Sequence, residues 1–297
     1  MPSPTTADSE SSRGGRPLAV GDVVVLYDRR HRRYRIVLEA GKRFFTHLGA
    51  IDHNRLIGCD DGLAIETDKG HLMRALRPTF AEAVYDLPRQ SQVIYPKDLA
   101  AILMLGDFYP GARCVEVGFG SGAASAAILR AIGPAGTLTT YEVRDQVVAP
   151  SQANVAQLAP GATNHTVVVG DAYESGITQQ GVDRVLTDVP EPWRLLESAA
   201  IALRTGGVLT CYLPTVLQVH ELAMALKADP RWALVNTLEV LERSWHLAPT
   251  SARPEHRMVG HTGFITTARR VEPLGIEAEA DPDADGSDDE RMSQEGT

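Results

Sequence analysis

The sequence predicts an α/β fold: a doubly wound, mostly parallel sheet with a small β-domain ahead of it. Three observations carry that prediction. Strand-like and helix-like runs alternate over residues 115–228, as crossovers between parallel strands require. The run Val115-Glu116-Val117-Gly118-Phe119-Gly120-Ser121-Gly122 reads as a buried strand and a glycine turn leading into an alanine-rich helix. Acidic residues then close the strands: Glu142 after Leu138-Thr139-Thr140-Tyr141, Asp171 after the run at 166–170, and Asp188 after the run at 182–187.

Residues 1–17 are rich in Ser, Thr, Gly and Pro and are expected to form a flexible leader. Residues 18–76 read as the small β-domain. Residues 23–27 and 34–38 are β-branched runs flanking a hairpin tip at 28–33. That tip holds Arg29-Arg30-His31-Arg32-Arg33, the densest basic run in the chain, open to two readings: a solvated turn or a contact for phosphate. Short strands are expected around 56–58 and 63–66.

Residues 77–272 read as the larger domain. A short helix is expected at 80–86 and a second at 99–107, with Pro96 where helix starts accept it and Asp98 near the first turn. Beyond the glycine turn come a helix at 123–130, strands at 138–142, 166–169, 182–187 and 207–212, and helices at 193–203 and 216–228. Two late strand-like runs, 234–242 and 263–268, are expected to close one sheet edge antiparallel.

Composition excludes several classes. The formal net charge is −9, but residues 277–297 hold nine acidic residues and one basic, so a tail of −8 leaves about −1 for the rest. The body is near neutral, which leaves a nucleic-acid partner open, and residues 273–297 are expected to be a disordered acidic tail. Three cysteines, Cys59, Cys114 and Cys211, form no CxxC pair, which argues against a zinc site or disulfide framework; no metal is expected. No stretch reaches 18 uninterrupted apolar residues and residues 1–16 have no signal-type apolar core, so a cytoplasmic protein with no membrane partner is expected.

In a doubly wound sheet the carboxyl ends of the strands form one crevice, where ligands bind. Glu142 there can take both hydroxyls of a ribose, and Asp171 an adenine amino group. Gly118, Gly120 and Gly122 let the chain approach a ligand closely. The spacing is GxGxG and lacks the pyrophosphate-binding GxGxxG, which suits a ligand without pyrophosphate. A class I, Rossmann-like methyltransferase holds S-adenosylmethionine in this way. Glu116, Phe119 and Ser121 join the candidate cofactor contacts. Asp188 opens Asp188-Val189-Pro190-Glu191-Pro192-Trp193, a loop stiffened by two prolines, and can face an acceptor base at the methyl-donor end or else cap the following helix.

On further motifs the chain resembles the tRNA (adenine-58-N1)-methyltransferase family of bacteria and archaea. The likeness runs over residues 21–270. It rests on Gln92-Val93-Ile94-Tyr95-Pro96-Lys97-Asp98, the glycine turn, the Asp188 loop, and Arg253-Pro254-Glu255-His256-Arg257-Met258-Val259-Gly260-His261-Thr262-Gly263-Phe264, with Leu38-Glu39-Ala40-Gly41-Lys42 and Thr46-His47-Leu48-Gly49 near the N-terminus. The resemblance implies that Tyr95 lies beside the target adenine and that Asp188 engages it. It implies that Gly118, Gly120, Ser121, Gly122, Glu142 and Asp171 contact the cofactor, and that Arg253 and His261 lie near the active site. It further implies a homotetramer that grips tRNA with the small β-domain. Phe119 stands where the family usually has Thr, Thr187 where it has Leu, and the acidic tail is an addition.

The expected reaction is in-line methyl transfer from the sulfonium to N1 of adenine 58, with Asp188 stabilising the charge that develops on the base. The base must leave its stack to reach the pocket. Two other readings stay open: a methyltransferase of the same fold acting on a small molecule or a protein, and a non-catalytic RNA-binding subunit.

Overall fold

The computed structural model describes residues 15–88 and 92–274. Most of the leader and nearly all of the acidic tail lie outside the described residues.

The N-terminal region is built from hairpins. Strands β1 (Val23–Tyr27) and β2 (Arg33–Val37) pair antiparallel around the basic tip. A second hairpin, β3 (Arg43–Thr46) and β4 (Gly49–Asp52), follows. Strands β5 (Ala64–Glu66) and β6 (Leu72–Leu76) complete a four-stranded sheet of order β2-β1-β6-β5. Leu18, Leu26, Ile51, Leu56 and Met73 fill its own small core. The strand expected at 56–58 is instead a turn after a 3-10 segment, His53–Arg55; Leu56 reaches the core from that turn. Strands β3, β4 and β6 were not expected.

Helix α1 (Phe80–Tyr85) starts with a capping box, in which the Thr79 hydroxyl accepts from the Glu82 N–H and the Glu82 carboxylate accepts from the Thr79 N–H. It also anchors the N-terminal region, because the Tyr27 hydroxyl donates to Glu82 at 2.5 Å and Arg33 pairs with Asp86 at 3.0 Å. Helix α2 (Pro96–Leu105) begins with its proline at the first position, which needs no N–H.

The larger sheet follows as β7 (Arg113–Val117), α3 (Ala123–Ile132), β8 (Thr137–Glu142), α4 (Asp145–Leu158), β9 (His165–Val169), α5 (Ala172–Ser175), β10 (Val182–Thr187), a 3-10 turn at Pro192–Leu195, α6 (Leu196–Ala202), β11 (Leu203–Leu213), α7 (Val216–Ala228) and β12 (Trp232–Glu239). A separate hairpin, β13 (Trp245–Ala248) and β14 (Ser251–Pro254), precedes β15 (Phe264–Arg270). The strand order is β12-β15-β11-β10-β7-β8-β9. Strands β7 to β11 are parallel, and β15 runs antiparallel between β11 and β12. The expected α/β doubly wound sheet is therefore observed.

Two apolar layers sandwich this sheet. Ile102, Ile128, Ile132 and Leu158 pack on one face, and Ala199, Leu222, Leu226 and Trp232 on the other. The chain leaves β7 toward β8 on one side and reaches β10 on the other. This switch point opens a crevice where β7 and β10 end.

Gly118 is where the crevice depends on glycine. Its φ is +98°, and a Cβ there would lie 2.4 Å from the Asp188 carbonyl oxygen. Gly111 has a similar φ of +89° with nothing within 4 Å. Gly111→Ala is expected to cost about 1 kcal/mol, from the backbone conformation alone, and Gly118→Ala about 3 kcal/mol. Urea midpoints at equal slope measure both; equal costs would show that the close approach is not a constraint.

Candidate active site

Register brings the carboxylates together. Val117 pairs with Thr187 on one side and Tyr141 on the other, so the next residues, Gly118, Asp188 and Glu142, meet at one sheet edge. The ladder continues one step further: Gly118 N–H donates to Tyr141 O at 2.9 Å, Asp188 N–H to Val117 O at 2.8 Å, and Gly170 N–H to Glu142 O at 2.9 Å. A cavity of about 520 Å³ opens over this edge, bordered by Gln92, Gly118, Gly120, Glu142, Arg144, Asp171, Tyr173, Asp188 and Pro190.

Glu142 is 3 % exposed. Its Oε2 accepts from the Phe119 and Gly120 N–H groups at 3.2 and 3.3 Å, and its Oε1 from the Arg144 N–H and Nε at 2.9 and 3.0 Å. Burial pushes this carboxyl up, but the hydrogen bonds from Arg144 and the Gly120 N–H prevail and hold it below the ordinary range. The Asp188 carboxylate accepts no hydrogen bond from a described residue. Burial, then the neighbouring Glu142 charge, push it up to about 6, with Arg144 opposing. Two carboxylates at one edge thus have different proton affinities, as acid–base sites require. Asp171 caps α5 through one oxygen, which accepts from the Tyr173 N–H at 2.8 Å; the other has no protein donor among the described residues.

Other candidates lie off this cavity. Glu116 is fully buried one residue before the end of β7, where Ser125 and Thr140 donate to its Oε2, Thr140 at 2.7 Å. Burial raises it to about 8, so it is protonated at neutral pH and serves the core beneath α3. Phe119 meets the site only through its N–H; its ring lies in the core, edge-on to His165 at 5.5 Å. The Ser121 hydroxyl accepts from the Ala123 N–H at 3.3 Å and borders a separate small cavity. Gly122, at φ +78°, fits closely under the Ser151 carbonyl.

Tyr95 caps the start of α2 and borders an adjoining cavity of about 210 Å³ with Tyr85, Leu87 and Pro96. Its ring is 5.9 Å from that of Tyr85, and Gln92 borders both cavities. His261 lies at the β11 end of the same sheet edge, with Nδ1 2.6 Å from Glu239 Oε1 and Nε2 2.7 Å from Pro214 O. Those two acceptors raise its pKa, because only the imidazolium donates to both. Arg253 is on β14, outside both cavities.

Two features escaped the sequence reading. One is Arg144, whose side chain turns back onto Glu142. The other is a buried network under Tyr95. Lys97 Nζ donates to Asp98 Oδ1, Val240 O and Thr262 Oγ1 at 2.7, 2.7 and 2.6 Å. Asp98 Oδ2 accepts from Thr262 at 2.7 Å and Tyr212 at 3.1 Å. Gly263 makes room for this: a Cβ there would lie 2.5 Å from the Tyr212 ring. Among the described residues, no cluster of His, Cys, Asp and Glu is placed to hold a metal ion, and no helix is long and apolar enough to cross a membrane.

This fold and crevice define a class I methyltransferase. Residues 73–251 match the family described as tRNA methyltransferase complex GCD14 subunit, and residues 17–65 match the TrmI-like N-terminal family. The chain is 34 % identical over 247 residues to a tRNA (adenine(58)-N(1))-methyltransferase TrmI of Thermus thermophilus, covering 83 % of this chain and 96 % of that one. Among solved structures, a SAM-dependent O-methyltransferase from Thermotoga maritima matches with TM-score 0.81 at 31 % identity, over 89 % of this chain and 96 % of that one. The tRNA (m1A58) methyltransferase TrmI of Aquifex aeolicus matches with TM-score 0.75 at 25 % identity, over 86 % and 99 %. The chain belongs to the TrmI-type tRNA methyltransferase family.

The buried network can be tested by substitution. Asp98→Ala leaves a buried ammonium without its counter-charge and is expected to destabilise the protein by about 3–5 kcal/mol, whereas Tyr212→Phe removes one hydrogen bond worth about 1 kcal/mol. Urea unfolding checks the contrast; similar small losses would show that the ion pair does not anchor α2.

Proposed function

We propose that the protein methylates N1 of adenine 58 in the T-loop of tRNA, using S-adenosylmethionine. The observation that carries this reading is the pairing of Glu142 and Asp188 beneath one cavity, in a chain whose relatives are named as tRNA adenine-58 methyltransferases. The donor set fits the cofactor. Glu142 offers a carboxylate to a ribose diol once the half-exposed Arg144 side chain yields, while the backbone N–H groups keep it in place. The uncommitted oxygen of Asp171 suits an amino group, and Gly118 allows close approach.

The bound cofactor supplies an electrophilic methyl group on a sulfonium. The chain's part is alignment and charge. Tyr95 and Tyr85 border a recess open to an unstacked base. Ionised Asp188 stabilises the positive charge that develops as N1 is alkylated, or accepts from the exocyclic amine; no strong base is needed, since N1 is already a neutral nucleophile. Gln92, which borders both cavities, and His261 join the substrate side in this reading, and Arg253 makes an outer contact.

The β-region at 18–76 is assigned to tRNA binding. A homotetramer draws support from exposed apolar side chains near β13, with Leu241 61 %, Trp245 58 % and Leu247 75 % exposed. A cytoplasmic setting accords with three free thiols. The Thermotoga likeness favours a second reading, methylation of an oxygen acceptor, which identification of the methylated nucleoside separates from the first.

Two outcomes are expected with an unmodified tRNA transcript. Asp188→Asn lowers kcat by about 100-fold while leaving cofactor affinity within a few-fold, by single-turnover kinetics and calorimetry; unchanged kcat would remove Asp188 from the mechanism. In the wild type, kcat/KM falls about tenfold per pH unit below about pH 6, as Asp188 takes up its proton, and is level above it. A profile flat from pH 5 to 8 would contradict the role of its ionised form.

A further inference from the structure

Away from the crevice, three turns of the N-terminal region converge: the β1–β2 tip, the β3–β4 turn and the β5–β6 turn. They enclose a cavity of about 490 Å³ whose border includes Asp28, Arg29, Arg30, Arg32, His47 and His71. The tip is ordered from within. Asp28 is 7 % exposed, and its carboxylate accepts from the Arg30 and Arg32 N–H groups at 2.8 and 3.0 Å and from Arg32 Nε at 2.6 Å. His31 takes the left-handed conformation, φ 58°, to complete the reversal.

The result is a fixed turn with uneven charge. Asp28 is taken up by Arg32, while Arg29 and Arg30 are exposed and form no ion pair with a described residue. Neighbouring arginines are committed elsewhere: Arg33 to Asp86, Arg43 to Asp68, Arg77 to Asp22. A concave surface bearing two unpaired guanidiniums and two imidazoles matches phosphate oxygens, which guanidinium forks bind bidentately. A tip held by a buried carboxylate also has less backbone freedom to lose on binding than a loose loop.

We infer that this cavity binds backbone phosphates of the RNA substrate, through Arg29 and Arg30 above all, as a site separate from the methyl-transfer crevice. The inference rests on the tRNA reading. It favours phosphate contact over a solvated turn, because Arg29 and Arg30 border a cavity and have no ion-pair partner among the described residues.

The test is tRNA binding by the full-length Arg29→Ala/Arg30→Ala variant, measured by fluorescence anisotropy across a salt series. The expected result is a Kd weaker by about 10- to 100-fold at low salt and a salt slope shallower by about one for each phosphate no longer engaged. KM for tRNA rises, while kcat at saturating tRNA and the calorimetric affinity for S-adenosylmethionine stay unchanged. Arg29→Lys/Arg30→Lys keeps the slope and part of the affinity, since charge survives without the fork. Unchanged affinity and slope in the alanine variant, with a wild type that methylates tRNA, would overturn this site and leave the function standing. A wild type that neither binds nor methylates tRNA would overturn both.

Discussion

The carboxylate of Glu142 is the point on which the site depends. It is buried at the end of β8, and backbone N–H groups from the glycine turn and from Arg144 converge on it. Those donors do two things at once. They keep Glu142 ionised despite burial, and they fix the turn after β7 to the end of β8. Burial first, and then the charge of the ionised Glu142, raise the neighbouring Asp188, whose carboxylate accepts no hydrogen bond from a described residue. One set of hydrogen bonds therefore fixes the shape of the crevice and, by keeping Glu142 charged, adds to the effect of burial on the group placed to meet the acceptor. Gly118 belongs to the same constraint, since any side chain there would part the ends of β7 and β10.

The second support is remote in sequence. Lys97 and Asp98, at the start of α2, are tied to Thr262 and Tyr212 by charge-assisted hydrogen bonds across 114 to 165 positions. Tyr95 lies just before this pair and His261 immediately precedes Thr262. Two of the motifs that carry the family resemblance are thus two sides of one buried network. They are joined physically: the Thr262 hydroxyl of the second motif accepts from Lys97 and donates to Asp98 of the first.

Much of the fold was legible because its signals are local. Glycine turns, β-branched runs and strand-end acids mark the parallel sheet directly, and Pro96 marks the start of α2. The failures have local causes too. In β6, Leu72 and Leu76 are exposed while Met73 and Ala75 are buried, so apolar residues on both faces hide the alternation. Leu56 is a core residue contributed by a turn, and burial alone is not a strand. Helix α4 carries Pro150 and buries only Ser151, Val155 and Leu158, one of them polar, which masks its period. Among site residues, Glu142, Asp171 and Asp188 follow from spacing. Glu116 does not reach the crevice because side chains alternate along β7: Val117 borders the cavity, while Glu116 points to the other face, toward Ser125 of α3. Arg144 was illegible, since no pattern announces a side chain that folds back on its neighbour.

The most direct measurement is nucleoside analysis of a defined tRNA transcript after incubation with the protein and S-adenosylmethionine. The expected product is 1-methyladenosine at position 58, with no methyl incorporation when that position carries guanine. Methyl groups found on a ribose oxygen or on another base, or none at all with active cofactor binding, would contradict the assignment of Asp188 and its crevice to this reaction.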